Sequence, residues 1–213
     1  MPDAGKISKK KEVLQLTRLE RLMDVVFALV IWRLFMLLPR PTDNEEWQSV
    51  FEMLKDDWEP FFICVLALVI VIIYWLQNNA LFGLLRRTDA RHTAISIFQI
   101  FFLLLFLYAI GSGLHLGAGS DQRIFESVTA MLVGLVSALG WRYATHEGRL
   151  VDPDIPEEDL DLVSRQIMAE PATAALTIPF TFIGPWMWEI SWFLYPFIRH
   201  LLGLSKKKGA AGS

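Results

Sequence analysis

The sequence has very little cysteine: Cys64 is the single one in 213 residues, and it lies inside an apolar stretch. One thiol cannot form an intramolecular disulfide, so a disulfide-stabilised fold is excluded and the redox compartment is left open. The sequence also lacks a glycine-rich phosphate loop, a cluster of metal ligands and a nucleophile paired with a base. We therefore do not expect an enzyme, and we expect no cofactor, no metal site and no nucleic-acid partner.

The long apolar stretches lack the polar face that the helices of a soluble bundle carry. Hydrophobic residues make up 54% of the chain. They form three long runs: 61–76, 97–110 (broken only by Gln99) and 22–38 (broken only by Asp24 and Arg33). A membrane-spanning helix needs about 20 mostly apolar residues, and each run reaches that length with its flanks. The chain is therefore predicted to be an integral membrane protein.

The hydropathy pattern predicts an all-α membrane protein with six transmembrane helices. The predicted spans cover 18–38, 60–85, 93–112, 123–143, a fifth helix that begins within 160–168 and is kinked by Pro171 and Pro179, and 186–204. They form one module, 18–204, which follows a basic N-terminal segment, 1–17, and precedes a tail, 205–213. That tail is basic at first and then has the composition of an artificial linker.

Lysine and arginine are concentrated on one side of the predicted helices. They cluster in the N-terminal segment, in the loops after helices 2 and 4, and in the tail, whereas the loop 43–59 is acidic. Short cytoplasmic loops are rich in these residues, so both termini should be cytoplasmic and the acidic loop should be outside. Five tryptophans would then lie near the outer interface: Trp47, Trp58, Trp186, Trp188 and Trp192. A short interfacial helix is expected at 47–54, where apolar residues recur at helical spacing.

Helix 1 carries Arg18, Asp24 and Arg33, although charge inside a bilayer is costly. Arg18 and Asp24 are six residues apart and therefore lie on nearly opposite sides of the helix, so they cannot simply pair with each other. We expect each to bond a neighbouring helix, since a carboxylate in an apolar helix needs a polar partner. Ordinary anchoring at the cytoplasmic interface is the alternative for Arg18.

Arg33 lies toward the predicted outer end of helix 1 and needs an anion, a carbonyl or water there. Glu189, near the outer start of helix 6, is the best acidic candidate inside the other spans. We predict that Arg33 turns away from the central axis of the assembled protein. It would then pair with Glu189 or with the acidic outer loop. The alternative is that Arg33 reaches water in an outer vestibule.

Three motifs, in order along the chain, carry a resemblance to a known family. Arg18-x-x-x-Leu22-Met23-Asp24, followed by Val25-Val26-Phe27-Ala28-Leu29, resembles the Arg-x-x-x-Phe-Ser-Asp signature of the transmembrane-protein-175 family of potassium channels. The segment Tyr74-Trp75-Leu76-Gln77-Asn78-Asn79-Ala80-Leu81-Phe82 resembles the family's Tyr-Trp-Leu-Asn-His-His-x-Leu-Phe. The third is Trp141-Arg142-Tyr143 with the Arg149-Leu150-Val151-Asp152-Pro153-Asp154 that follows. One six-helix module is similar to the bacterial form, which implies a homotetramer in the cell membrane.

The resemblance implies a potassium-preferring cation channel with helix 1 of each subunit along a central pore. Carried over by position, the apolar constriction begins at Leu29 and continues with Trp32 and Met36. The resemblance also implies that a polar network holds helix 1, formed by Arg18, Asp24, Trp75 and Asn78.

Two departures from the family pattern leave other functions open. Trp32 would obstruct a narrow pore, and a ring formed by Arg33 of each subunit would repel cations. A diverged, non-conducting membrane scaffold and a channel with altered ion preference are therefore the alternatives. A membrane enzyme has no supporting catalytic constellation.

Overall fold

A computed structural model of the protein describes residues 4–39, 49–56, 58–117 and 119–204, and within them it is almost entirely helical. The α-helices are α1 (Ala4–Phe35), α2 (Val50–Asp56), α3 (Trp58–Phe82), α4 (Ala90–Leu116), α5 (Ser120–Thr145), α6 (Glu157–Gln166), α7 (Ala169–Phe180), α8 (Pro185–Ser191) and α9 (Tyr195–Leu204). Short 3-10 turns cover His146–Gly148 and Trp192–Leu194. An isolated antiparallel bridge joins Leu85 to Val151. The predicted all-α class is confirmed for this part of the chain.

Three of the described helices are long and apolar enough to cross a membrane. They are Trp58–Phe82, Ala90–Leu116 and the stretch Ser120–Gly148. These are the predicted helices 2, 3 and 4, each somewhat displaced or extended at its ends. Helix α1 has 32 residues but is more polar, and it does not reach the same hydropathy. Its crossing of the membrane stays a prediction.

Predicted helices 5 and 6 are each broken into two shorter helices. Helix 5 is α6 and α7, interrupted at 167–168, and helix 6 is α8 and α9, interrupted by the 3-10 turn Trp192–Leu194. Proline explains both breaks, because it has no N–H to donate to the carbonyl four residues earlier. Pro171 lies four residues after the first break, and Pro196 lies four after Trp192. Of the six predicted spans, three are therefore confirmed as helices long and apolar enough to cross a membrane, and six spans per subunit stay a prediction.

The core forms where α4 packs along α5 and α5 packs along α7, while α1 packs against α3 and α4. Two of these helices approach closely at Gly134 of α5 and Pro171 of α7. A Cβ atom at Gly134 would lie 2.7 Å from Pro171 Cδ. Glycine is therefore required at 134 for these two helices to pack at this distance.

The short helix predicted near 47–54 is present as α2, Val50–Asp56. Trp47 lies outside the described residues, as do the first three residues and the tail 205–213. The structure does not bear on those parts of the predicted domain division or on the side of the membrane that each loop faces.

Candidate pore helix and its polar contacts

Helix α1 has one buried face and one exposed face within the subunit. The buried face consists of Leu16, Leu19, Met23, Phe27, Val30 and Leu34, all at helical spacing. The exposed face consists of Leu22, Val25, Leu29 and Trp32, again three or four residues apart. Such a pattern anchors α1 through one side and leaves the other side available for a second copy, lipid or water.

The three residues predicted to form the constriction lie along the exposed side of α1 or at its end. Leu29 is 57% exposed and Trp32 is 56% exposed. Met36 is one residue beyond the end of α1, is partly buried, and its N–H donates to the carbonyl of Trp32 at 3.0 Å. More than half of the surface of Leu29 and of Trp32 is therefore left uncovered by a single subunit, and their role in a constriction stays a prediction.

Asp24, on the half-buried flank of α1, is hydrogen-bonded to α3. The indole Nε1 of Trp75 donates to Asp24 Oδ1 at 3.1 Å. With its amide oriented to satisfy both neighbours, Asn79 donates to Asp24 Oδ1 at 3.2 Å and accepts from Trp75 Nε1 at 3.2 Å. The three side chains meet because Trp75 and Asn79 are one helical turn apart on the same face of α3.

Two other residues predicted for this network are placed elsewhere. Asn78 is buried in α3, but Asn79 is the asparagine beside Asp24. Arg18 is exposed, near the start of the exposed side of α1. Its position agrees with the six-residue spacing from Asp24, which puts the two on opposite sides. At this point of α1, the polar contact that the structure shows is Asp24 with Trp75 and Asn79.

Substitution of Asp24 by alanine is expected to lower the stability of the protein. Trp75 would lose its charged acceptor, and hydrogen bonds to charged groups contribute about 1.5–3 kcal/mol. Because Asp24 is only half-buried, we expect about 1–2 kcal/mol, measured from unfolding in detergent. Glu20→Ala is the matched control, since Glu20 has no partner among the described residues. Equal midpoints for Asp24→Ala and Glu20→Ala would show that the contact contributes nothing.

The predicted pair between Arg33 and Glu189 is not formed in the described subunit. Glu189 is 1% exposed, and its Oε1 accepts from Arg123 Nη2 at 3.1 Å. The physical reason is packing: α8 lies against α5 and α7, so a guanidinium of α5 is closer to Glu189 than the guanidinium of α1 is. Arg33 is instead exposed, one turn beyond Leu29 on the same side of α1.

Arg123 is the centre of a buried charged cluster that sequence reasoning missed. Its Nη1 donates to Glu126 Oε2 at 3.2 Å, its Nη2 lies 3.8 Å from Glu59 Oε1, and its guanidinium is 4.4 Å from the centroid of the Trp188 ring. Arg123 is 2% exposed and Glu126 is 1% exposed. The signal available in the sequence was Arg123-x-x-Glu126, two charges one turn apart at the start of an apolar helix.

Polar contacts continue from this cluster into the interior. Gln122 Nε2 donates to Glu126 Oε1 at 3.2 Å, and Trp188 Nε1 donates to Ser127 Oγ at 2.8 Å. Ser127 and Thr177 share a hydrogen bond at 2.7 Å. These contacts join α5 to α7 and α8, so the cluster fixes the broken helices to the long ones.

A third buried carboxylate, Glu170, lies between α7 and α9. It is 4% exposed, and its Oε1 accepts from the Tyr195 hydroxyl at 3.1 Å. It forms part of the wall of a largely apolar cavity of about 250 Å³. Within the described part of the chain, no group of three or more His, Cys, Asp or Glu side chains could hold a metal ion.

Comparison with known proteins finds a match to the family that the motifs resemble. A family model described as endosomal/lysosomal potassium channel TMEM175 matches residues 18–106, which include the second half of α1, the Asp24 contact and most of α4. A comparison with curated proteins found no match.

The fold matches that of a solved channel. It superposes on the crystal structure of a lysosomal potassium-selective channel TMEM175 homologue from Chamaesiphon minutus with a TM-score of 0.71 at 14% sequence identity, over 88% of this chain and 98% of that chain. The resemblance predicted from three motifs is confirmed: this chain matches the TMEM175 potassium-channel family through residues 18–106 and has the fold of a bacterial TMEM175 homologue.

Proposed function

We propose that this chain is one subunit of a potassium-preferring cation channel in which α1 of each copy lines the pore. The supporting family match is to potassium channels, an ion-channel class rather than an enzyme class. The partners are monovalent cations, a lipid bilayer and further copies of the chain, most simply as a homotetramer in a bacterial inner membrane.

The observation that carries the proposal is the exposed side of α1. It is apolar in the middle, at Leu22, Val25 and Leu29, and has exposed arginines toward both ends, at Arg18 and Arg33. Charge on a membrane helix requires protein or water around it. This side of α1 is therefore better placed against other copies or an aqueous path than against lipid.

Helix α4 shows what a lipid-facing surface of the same protein looks like. Its exposed residues in the middle of the helix are wholly apolar and include Ile97, Phe98, Phe101 and Leu104. This contrast supports lipid around α4 and the channel axis beside α1.

In this arrangement, Leu29 and the exposed residues near it form rings around the axis. A narrow apolar ring resists hydration and limits ion passage by dewetting. Cation preference would then come from the diameter of the pore and the cost of removing water from the ion. On the side of α1 that faces α3, the hydrogen bonds of Asp24 with Trp75 and Asn79 would fix the rotation of α1 about its own axis.

A channel with altered ion preference is the second candidate, and the placement of Arg33 favours it. Arg33 is exposed and lies one turn beyond Leu29, and arginine stays charged at all ordinary pH values. A ring of guanidinium groups near the axis would repel cations. Trp32, also exposed, favours the non-conducting scaffold because its indole ring could obstruct a narrow pore.

Potassium flux from liposomes containing the purified protein tests these functions. We expect potassium efflux faster than sodium efflux, and we expect Leu29→Ala to raise efflux several-fold or to relax the preference, because a trimmed ring hydrates more easily. Leu104→Ala is the matched control, since Leu104 is 48% exposed on α4.

Three outcomes would count against the cation-channel proposal. Chloride efflux in place of potassium efflux would support the altered preference, and no ion flux at all would support the scaffold. A conducting protein in which Leu29→Ala and Leu104→Ala behave alike would remove Leu29 from the constriction.

A further inference from the structure

A cavity of about 390 Å³ lies at the end of the bundle where α3 and α5 end, and its charged walls are arginines. Arg86, Arg87 and Arg149 line it, with Val13, Val151 and Pro153 alongside. None of the described residues that line it is acidic.

Backbone hydrogen bonds hold the two loops that carry these arginines. The N–H of Arg86 donates to the carbonyl of Leu150 at 2.9 Å, and the N–H of Asp152 donates to the carbonyl of Leu84 at 3.1 Å. Leu85 and Val151 pair as an antiparallel bridge, and both are buried. The cavity is therefore preformed by the fold.

Arg87 and Arg149 are held in place by neighbouring groups. Arg87 donates to the carbonyl of Arg149 from Nε at 3.2 Å and from Nη2 at 3.0 Å, and its Nη1 is 3.3 Å from Glu12 Oε2. The guanidinium of Arg149 lies 4.7 Å from the centroid of the Tyr143 ring. Tyr143 in turn donates to Asp89 Oδ2 at 2.7 Å.

Asp89 is ionised at neutral pH and so keeps Tyr143 in position. Burial acts to raise the pKa of Asp89, but hydrogen bonds from the backbone N–H of His92 and from Tyr143 outweigh it and lower the pKa. The support beneath Arg149 is consequently fixed.

Two positive charges on this cavity have no carboxylate partner. Glu12 compensates Arg87, but neither Arg86 nor Arg149 forms an ion pair with a carboxylate in the described ranges. Guanidinium groups match the geometry of phosphate oxygens and bond them bidentately. The chemistry that fits the cavity is a phosphate group.

We infer that this cavity binds a phosphate group, supplied by the headgroup of an anionic phospholipid. Its location favours a lipid over a free ion, because it opens where α3 and α5 end, at the level of a membrane surface. The predicted orientation places that surface in the cytoplasm, where basic pockets bind anionic headgroups. The adjoining Val13, Val151 and Pro153 suit the less polar glycerol part of such a lipid.

Native mass spectrometry of the full chain in a neutral detergent tests the site. The probes are a short-chain phosphatidylglycerol, a phosphatidylcholine of the same chain length, and inorganic phosphate at constant ionic strength. We expect saturable binding of phosphatidylglycerol, with an affinity about tenfold or more above that of phosphatidylcholine, from two guanidinium contacts.

Arg86→Gln should weaken phosphatidylglycerol binding about fivefold, and Arg86→Gln with Arg149→Gln should weaken it further, since each arginine near an anionic headgroup contributes about 1 kcal/mol, or about fivefold. Arg86 is exposed, so the single variant should fold normally. Arg91→Gln, at an exposed arginine of α4 outside the cavity, should leave binding unchanged.

The outcomes separate the lipid from the free ion. Inorganic phosphate could bind the wild type as tightly as phosphatidylglycerol does and bind Arg86→Gln more weakly. That result would confirm a phosphate site and overturn its assignment to a lipid. Equal binding of the two lipids, or unchanged phosphatidylglycerol binding in Arg86→Gln, would overturn the site itself.

Discussion

Arg123→Met is expected to destabilise the protein by about 3–5 kcal/mol, because removing one partner of a buried ion pair leaves the other charge without compensation. Arg123 is 2% exposed, and two carboxylates that depend on it, Glu126 and Glu189, are each 1% exposed. Methionine fills a similar volume, so the loss would come mainly from charge and hydrogen bonding. The thermal midpoint and a denaturant titration, both recorded in detergent, measure the loss of stability.

A matched control and a partial rescue sharpen this prediction. Arg142→Met changes an exposed arginine of the same helix, and a change within about 0.5 kcal/mol is expected there. Adding Glu126→Gln and Glu189→Gln to Arg123→Met should recover part of the stability, because the uncompensated charges are then removed. If Arg123→Met and Arg142→Met unfold alike, the buried cluster does not hold α5, α7 and α8 together.

Gly134→Ala is expected to cost about 1–3 kcal/mol, the usual effect of overpacking a well-packed interior. The new Cβ would lie 2.7 Å from Pro171 Cδ and 3.0 Å from Pro171 N. Both are atoms of a rigid ring and backbone, so α5 and α7 would have to separate. Thermal unfolding and the oligomeric state on gel filtration would record that separation.

The control for Gly134 reverses the sign of the effect. Gly111 lies in α4, and a Cβ there meets nothing within 4 Å. Alanine is preferred over glycine in a helix by about 1 kcal/mol, so Gly111→Ala should be neutral or stabilising. A Gly134→Ala protein as stable as Gly111→Ala would mean that α5 and α7 are not packed as closely as the structure has them.

The long apolar helices could be predicted because their composition alone determines them. The run predicted at 60–85 is α3, Trp58–Phe82, and the run predicted at 93–112 is α4, Ala90–Leu116. Helix α1 begins at Ala4 rather than near 18, since nothing in its polar lead-in breaks a helix. Hydropathy detects an apolar run, but it does not detect where a polar helix joins that run.

Pro171 and Pro179 were predicted to kink helix 5, whereas no break was predicted in helix 6, where Pro196 lies. Pro171 and Pro196 remove the hydrogen bonds that would carry α6 into α7 and α8 into α9. Hydropathy alone describes both regions as single spans, because it does not report whether backbone hydrogen bonds continue through them.

Side-chain partners could be predicted only where a motif was available. The resemblance placed Trp75 near Asp24, and the structure has that hydrogen bond at 3.1 Å. It named Asn78 where the contacting residue is Asn79, because a motif aligned by position does not fix which of two adjacent amides faces the neighbouring helix. The contact of Arg123 with Glu189 joins residues 66 positions apart, and no periodicity in the sequence reports a pair so distant.

The most direct measurement of a potassium path along α1 is potassium flux through Leu29→Cys in liposomes before and after a cationic thiol reagent. The native chain has one cysteine, Cys64, which is buried, so wild-type flux should not change. A cation attached at the constriction should block the path, and flux through Leu29→Cys should fall several-fold, whereas Val69→Cys, at an exposed position on α3, should keep its flux. A Leu29→Cys protein that conducts potassium, reacts with the reagent and conducts as before would contradict the placement of Leu29 in the pore.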